Sequence, residues 1–206
     1  VTMNKEYEQM TTKDKIFATA VELFSQKGFH TVSVREMARA VGIKESSIYN
    51  HFQSKDEILA AIFDHFENEL VNRAFPEEVL AEVDFTAIDP EEFFEQNLLR
   101  FQQTLTPTFI KIWRIVMMEQ FRQERARKFL LQEIIRRPAR YYEQVFSKMM
   151  VAGQIKPGGA QVLADTLNYL MFAMSVELNI LSFDNDPDVA TVVQKRTEIF
   201  KHLFSS

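Results

Sequence analysis

The sequence predicts an all-α protein of about nine helices, a three-helix N-terminal bundle followed by a larger helical C-terminal domain. Three observations carry that prediction. Only 5 residues of 206 are glycine, and apolar residues recur at three-to-four spacing over long stretches with no convincing period-2 segment. Serine, threonine and aspartate stand where helix N-termini need a capping oxygen. No internal repeat or low-complexity tract interrupts the pattern.

Taken in order, Thr12 precedes a helix with Ile16, Phe17, Ala20, Val21 and Phe24 on one face, and Gly28 follows where a left-handed residue is wanted. Ser33 with Glu36 forms a capping box that opens a short helix through Met37, Ala38 and Val41, closed by Gly42. Ser54 with Glu57 is a second box, launching a helix that buries Ile58, Leu59, Ile62, Phe63, Phe66 and Leu70. Beyond Pro76 the chain is acidic and weakly periodic as far as Asp89. Asp89-Pro90, Thr106-Pro107 and Asp186-Pro187 each put a capping side chain before a proline whose missing N–H costs nothing at the first helical position. Five further helices are expected at 90–104, 107–121, 126–152, 158–182 and 187–204. Pro138 lies inside the longest, where it removes a hydrogen bond and crowds the Ile134 carbonyl, so a kink is expected there.

Composition narrows the function classes. A hydrophobic share of 46% with 26% charged residues is that of a globular protein, and 19 Phe with 9 Met supply soft, bulky filling. The absence of cysteine excludes disulfides, thiolate metal sites and cysteine nucleophiles, and a reducing cytoplasm is the expected location. The polar stretch Val1 to Asp14 does not read as a secretory signal, and no apolar run reaches membrane-spanning length. There is no Gly-rich phosphate loop, nucleophile elbow or Glu-x-x-His pair, and His30, His51, His65 and His202 stand far apart. No enzyme activity, metal or cofactor is expected. The formal net charge is −5, but residues 1–60 hold eight Lys/Arg against eight Asp/Glu. Any nucleic-acid binding must therefore rest on a motif and not on bulk charge.

That motif is Ser33 to Phe52: a capped short helix, a turn holding Gly42, and a second short helix. Two helices joined by a short glycine-containing turn form a helix-turn-helix, whose second helix lies in the DNA major groove. Met37, Ala38, Val41 and Ile48 supply the apolar contacts that fix the angle. Ser46, Ser47, Asn50 and His51 are left on the outer face, able to donate or accept at base edges and phosphates.

Here the chain resembles the TetR family. The stretch "TVSVREMARAVGIKESSIYNHFQSKDEIL", Thr31 to Leu59, together with the preceding "ATAVELFSQKGFHTVSV", is similar to the family's DNA-binding signature over about residues 12–60. The resemblance implies a DNA-binding domain at 1–55 and an effector-binding and dimerisation domain at 56–206, bridged by the helix from about 55 to 74. It implies a ligand-released repressor on a pseudo-palindromic operator, acting as a homodimer. An all-helical adaptor that binds another protein through its apolar C-terminal helices is the alternative. By the same resemblance Thr31, Ser33 and Arg35 approach one phosphate strand, and Ser46, Ser47, Tyr49, Asn50 and His51 line the groove-facing side. Lys55 would lie on a phosphate beyond. Two positions depart from the family pattern. Lys44 replaces a small N-capping residue and adds a phosphate contact, and Glu45 brings an anion toward DNA, where it accepts from a cytosine amine or turns away.

In the C-terminal domain the resemblance implies a cavity for an effector, which the Phe and Met content suggests is hydrophobic or aromatic. Trp113, Met117, Phe121, Tyr141, Asn168, Tyr169 and Phe172 are its candidate lining, Asn168 being a polar interruption of an apolar helix. The last two helices are implied to form a four-helix dimer interface, with Leu167, Met171, Met174, Leu178, Val192, Ile199 and Leu203 as candidates.

Overall fold

Side-chain oxygens of Thr11, Ser33, Ser54 and Asp89 set four of the helix starts. In the computed structural model, which describes residues 9–68, 77–104, 106–183, 191–192, 194–195 and 198–199, the regular structure is helical throughout, and no strand occurs among the described residues. Helix α1 (Thr12–Lys27) begins one residue earlier than expected, because Thr11 is the cap and accepts the Asp14 N–H at 3.2 Å. Ser33 caps α2 (Val34–Val41) by accepting the Glu36 N–H at 3.1 Å. The Glu36 carboxylate, expected to complete a capping box, meets Lys27 Nζ at 2.6 Å and ties the end of α1 to the start of α2. That hydrogen bond is the main reason its carboxyl is held below the ordinary carboxylate range.

Next come α3 (Glu45–Tyr49) and α4 (Lys55–Phe66). Ser54 caps α4 through the Glu57 N–H at 3.1 Å, while the Glu57 carboxylate accepts the Gln53 N–H. A 3-10 turn (Glu77–Ala81) precedes α5 (Pro90–Thr104), which Asp89 caps through the Glu92 N–H at 3.0 Å. Helix α6 (Pro107–Glu119) again has proline at its first position, and α7 (Glu124–Phe129) follows. A π-helical segment, Leu130–Arg136, leads into α8 (Arg137–Val151), and α9 (Ala160–Phe183) is the longest helix described. The start expected at Asp186-Pro187 and the expected bridging helix beyond residue 68 lie outside the described residues, as does most of the expected final helix.

Contacts divide the chain into two units. Unit 1 takes residues 1–67 and 107–127, so α6 joins the first four helices. Its core is built from Ile16 and Phe24 of α1, Met37 of α2, Ile58, Ile62, Phe63 and Phe66 of α4, and Ile112, Ile115 and Val116 of α6, all nearly inaccessible. Ion pairs of Lys111 with Glu22 and of Arg125 with Asp64 close its rim.

Unit 2 takes residues 68–106 and 128–206. Helices α8 and α9 pack along their length, burying Val145, Met149, Ala164 and Leu167, while Phe94 stacks on Phe146 at 5.4 Å. Where a kink is expected at Pro138, the chain adopts the wider π turns just before it, which accommodate a residue without an N–H. The Nδ2 group of buried Asn168 donates to the Ile135 carbonyl at 2.7 Å, so this polar side chain, expected at a ligand, braces the π segment against α9. Replacing Asn168 by Ala should lower the unfolding free energy by about 1 to 2 kcal/mol through the lost bond and the desolvated carbonyl. Denaturant titration of the whole chain measures it.

Candidate nucleic-acid interface

Helix α2 ends in a Schellman turn. Gly42 sits at φ 81°, ψ 29°, with its N–H 3.2 Å from the Arg39 carbonyl and the Ile43 N–H 3.0 Å from that of Ala38. The turn redirects the chain into α3, whose N-cap position is Lys44. Lysine has no acceptor to offer, and no side chain caps this helix. What fixes α3 is Ile48, 1% exposed, with buried Phe52 one turn on and its N–H 3.0 Å from the Ile48 carbonyl. With that face committed inward, Glu45, Ser46, Tyr49, Asn50 and His51 are exposed and Ser47 is half-buried. Thr31, Ser33 and Arg35 are exposed around the start of α2, and Lys44 is exposed between the helices. Nine of the eleven expected DNA-facing residues are therefore exposed, and Ser47 and Lys55 are half-buried.

Lys55 is the departure. Its ammonium donates to the Phe29 and Val32 carbonyls, each at 2.9 Å, and lies 4.3 Å from the centre of the Phe29 ring. The resemblance puts this charge on a phosphate, whereas the structure puts it on the loop that carries α2. The sequence reading also missed Lys13, an exposed cation whose ammonium lies 5.4 Å from the centre of the Phe52 ring. It missed Glu119 as well, 1% exposed at the end of α6. The signal for Glu119 was present: it continues the stripe Ile112, Ile115, Val116 at helical spacing, where a carboxylate is out of place.

The expected effector lining is spread over both units. Trp113 is buried in unit 1, 6.3 Å from the Phe66 ring, with Met117 half-buried on the same helix. Phe121, in the turn after α6, is 83% exposed. In unit 2, Tyr141 is buried edge-on to Tyr142, Phe172 is half-buried, and Tyr169 faces outward at 62% exposure. The expected dimer residues differ in exposure. Leu167, Met174 and Val192 are buried within unit 2, and Met171, Leu178 and Ile199 are half-buried. Leu203 lies outside the described residues. On α9 the exposed residues include Val162, Thr166, Tyr169, Ala173, Glu177 and Ile180.

A capped helix, a left-handed glycine turn and a short helix with a polar outer face define the head of a helix-turn-helix protein. Residues 16–62 match the family model described as bacterial regulatory proteins, tetR family. Over 60 residues the chain is 40% identical to the biofilm operon icaADBC HTH-type negative transcriptional regulator IcaR of Staphylococcus aureus (strain Newman), covering 27% of this chain and 32% of that one. Over 59 residues it is 34% identical to the HTH-type transcriptional regulator UidR of Escherichia coli (strain K12), covering 29% and 30%. The matched segment thus spans about a third of these relatives. The whole fold resembles two solved structures. The TetR family regulator PfmR of Thermus thermophilus gives a TM-score of 0.63 at 20% identity, over 90% of this chain and 96% of that one. A transcriptional regulator of Aquifex aeolicus gives 0.63 at 21%, over 94% and 100%. The N-terminal segment, residues 16–62, is thus of the tetR type of bacterial regulatory proteins.

Replacing Lys55 by Met keeps the aliphatic stem and removes the donor to two loop carbonyls. The unfolding free energy should fall by about 2 kcal/mol, the scale of a hydrogen bond to a charged group. Urea titration reads the change.

Proposed function

We propose that this chain is a transcriptional repressor that binds a pseudo-palindromic operator as a homodimer and lets go when its C-terminal helices take up a hydrophobic or aromatic small molecule. The observation that carries the reading is the polar face of α3, held out over the buried Ile48. In the groove, Asn50 suits adenine, whose N6 and N7 match a side-chain amide, and Ser46, Ser47 and His51 reach base edges or phosphates beside it. Thr31, Ser33, Arg35, Lys44 and the Tyr49 hydroxyl serve the backbone and set register. Glu45 is the specificity element of either sign: it accepts from a cytosine amine or repels the phosphates it meets.

Repression is supported by the matched relative IcaR, described as a negative regulator. Two copies are supported by the outward stripe of α9, where Val162, Tyr169 and Ile180 leave apolar surface in water. A two-fold pair would set the α3 helices about 34 to 36 Å apart, one turn of B-DNA. Release follows from linkage, since an effector that favours a differently spaced pair weakens DNA binding by the factor with which DNA weakens the effector.

Selection from a randomised duplex library should enrich a two-fold symmetric site, and Asn50→Ala should weaken binding to it by about 1 to 3 kcal/mol. A dimer that enriches nothing at low salt would point to the protein-binding alternative. Ile180→Arg should leave the fold intact, turn dimers into monomers in sedimentation, and abolish high-affinity binding to the two-fold site. A dimer that persists in that variant would place the interface elsewhere.

A further inference from the structure

The loop Gly28 to Val32 delivers the chain into α2 and is gripped from two sides by opposite charges. From α4 comes the Lys55 ammonium, on the Phe29 and Val32 carbonyls. From α6 comes Glu119, whose Oε1 accepts the Phe29 N–H at 3.2 Å and whose Oε2 lies 3.5 Å from Nε2 of half-exposed His30. One residue, Phe29, thus has its N–H on a carboxylate and its C=O on an ammonium, with its ring buried edge-on to Phe24. The carboxylate lies beside Gly28, where a Cβ would stand 3.9 Å from Oε1 and where the positive φ of 78° already favours glycine.

Glu119 is an expensive choice of residue. It is 1% exposed, and Oε2 accepts no hydrogen bond among the described residues. A leucine would complete the stripe of Ile112, Ile115 and Val116 without burying a charge so sparsely solvated. A leucine would also leave the Phe29 N–H with no acceptor. Fold stability alone does not call for the acid, but holding a particular backbone amide does.

The geometry points to Glu119 as a positioning residue for DNA binding: from α6 it fixes the Phe29 amide, and through that loop the start of α2, where Thr31, Ser33 and Arg35 are exposed. It touches no DNA. The inference rests on the DNA-binding reading, and its test separates the two. Amide hydrogen exchange on the wild-type chain, resolved to single residues, should show Phe29 protected well beyond exposed Thr31. Glu119→Leu should speed Phe29 exchange about tenfold or more and weaken binding to the selected duplex about tenfold, while the unfolding midpoint stays level or rises. Glu119→Gln, whose amide oxygen still accepts, should restore both the protection and most of the affinity. A wild-type Phe29 amide that exchanges as fast as Thr31 overturns the proposal, as does a folded Glu119→Leu chain with wild-type exchange and affinity. If the wild-type chain binds no duplex, the DNA-binding reading fails, and the exchange measurements still judge the latch.

Discussion

A five-residue helix does not hold itself together in water, because the cost of nucleation is not recovered over so few hydrogen bonds. Everything ascribed to the outer face of α3 depends on Ile48 being buried, with Phe52 one turn later. The turn before it contributes through dihedral angles alone, since a Cβ on Gly42 would meet nothing within 4 Å and only its left-handed φ restricts the residue there. Position and direction of α3 are thus imposed from below and from the N-terminal side. Its polar residues are left with no structural task and are available to a partner.

Charge supports this division of labour. Unit 1 holds 13 Lys/Arg against 12 Asp/Glu, whereas unit 2 holds 11 against 17 and carries the acidity of the whole chain. The near balance in unit 1 comes from α6 and the segment after it, where Lys111, Arg114, Arg122, Arg125 and Arg127 outweigh Glu119 and Glu124. Two of those cations are engaged with Glu22 and Asp64, and Lys55 is turned onto backbone carbonyls. A head with so little surplus charge has a weak non-specific hold on phosphate. In the proposed DNA-binding role, discrimination would then come from the fit of α2 and α3, and a fixed geometry of the loop feeding α2 would serve it.

What the sequence disclosed follows the range of the interactions. Caps at Ser33, Ser54 and Asp89 and the glycine turns at 28 and 42 are set by partners three to five residues away, so spacing alone locates them. The single-residue error at Thr11 arose because Thr11 and Thr12 are chemically equal caps and only backbone conformation separates them. Glu119 and Phe29 are 90 positions apart, and no local pattern joins them. Lys55 has a flexible stem that reaches a phosphate or a carbonyl equally well, and in this structure its ammonium lies on the Phe29 and Val32 carbonyls, which no local spacing reveals. Asn168 was seen as a buried polar residue needing a partner, which proved to be a carbonyl exposed by the π segment, a local irregularity that periodicity does not reveal.

Helix α9 poses the sharpest case, because it is apolar on more than one side. A single 3.6-residue period assigns one face to the core, but Leu167 and Met174 satisfy that requirement while Val162, Tyr169 and Ile180 form a second apolar face about a third of a turn away. From sequence the run through Leu167, Met171, Met174 and Leu178 is too apolar for a solvent face, which fits burial against another subunit or against the core. In the protomer Leu167 and Met174 are buried, and α8 and α9 pack on each other. A helix with one apolar face inside its own unit and another in water buries the second only against something else. With Ala173 at the middle of the outer stripe, a second helix can approach closely there, and the tyrosine and isoleucine on either side supply the area that such a contact would remove from solvent. The proposed pairing of two chains thus rests on the residues that the protomer leaves over and not on those it uses to fold.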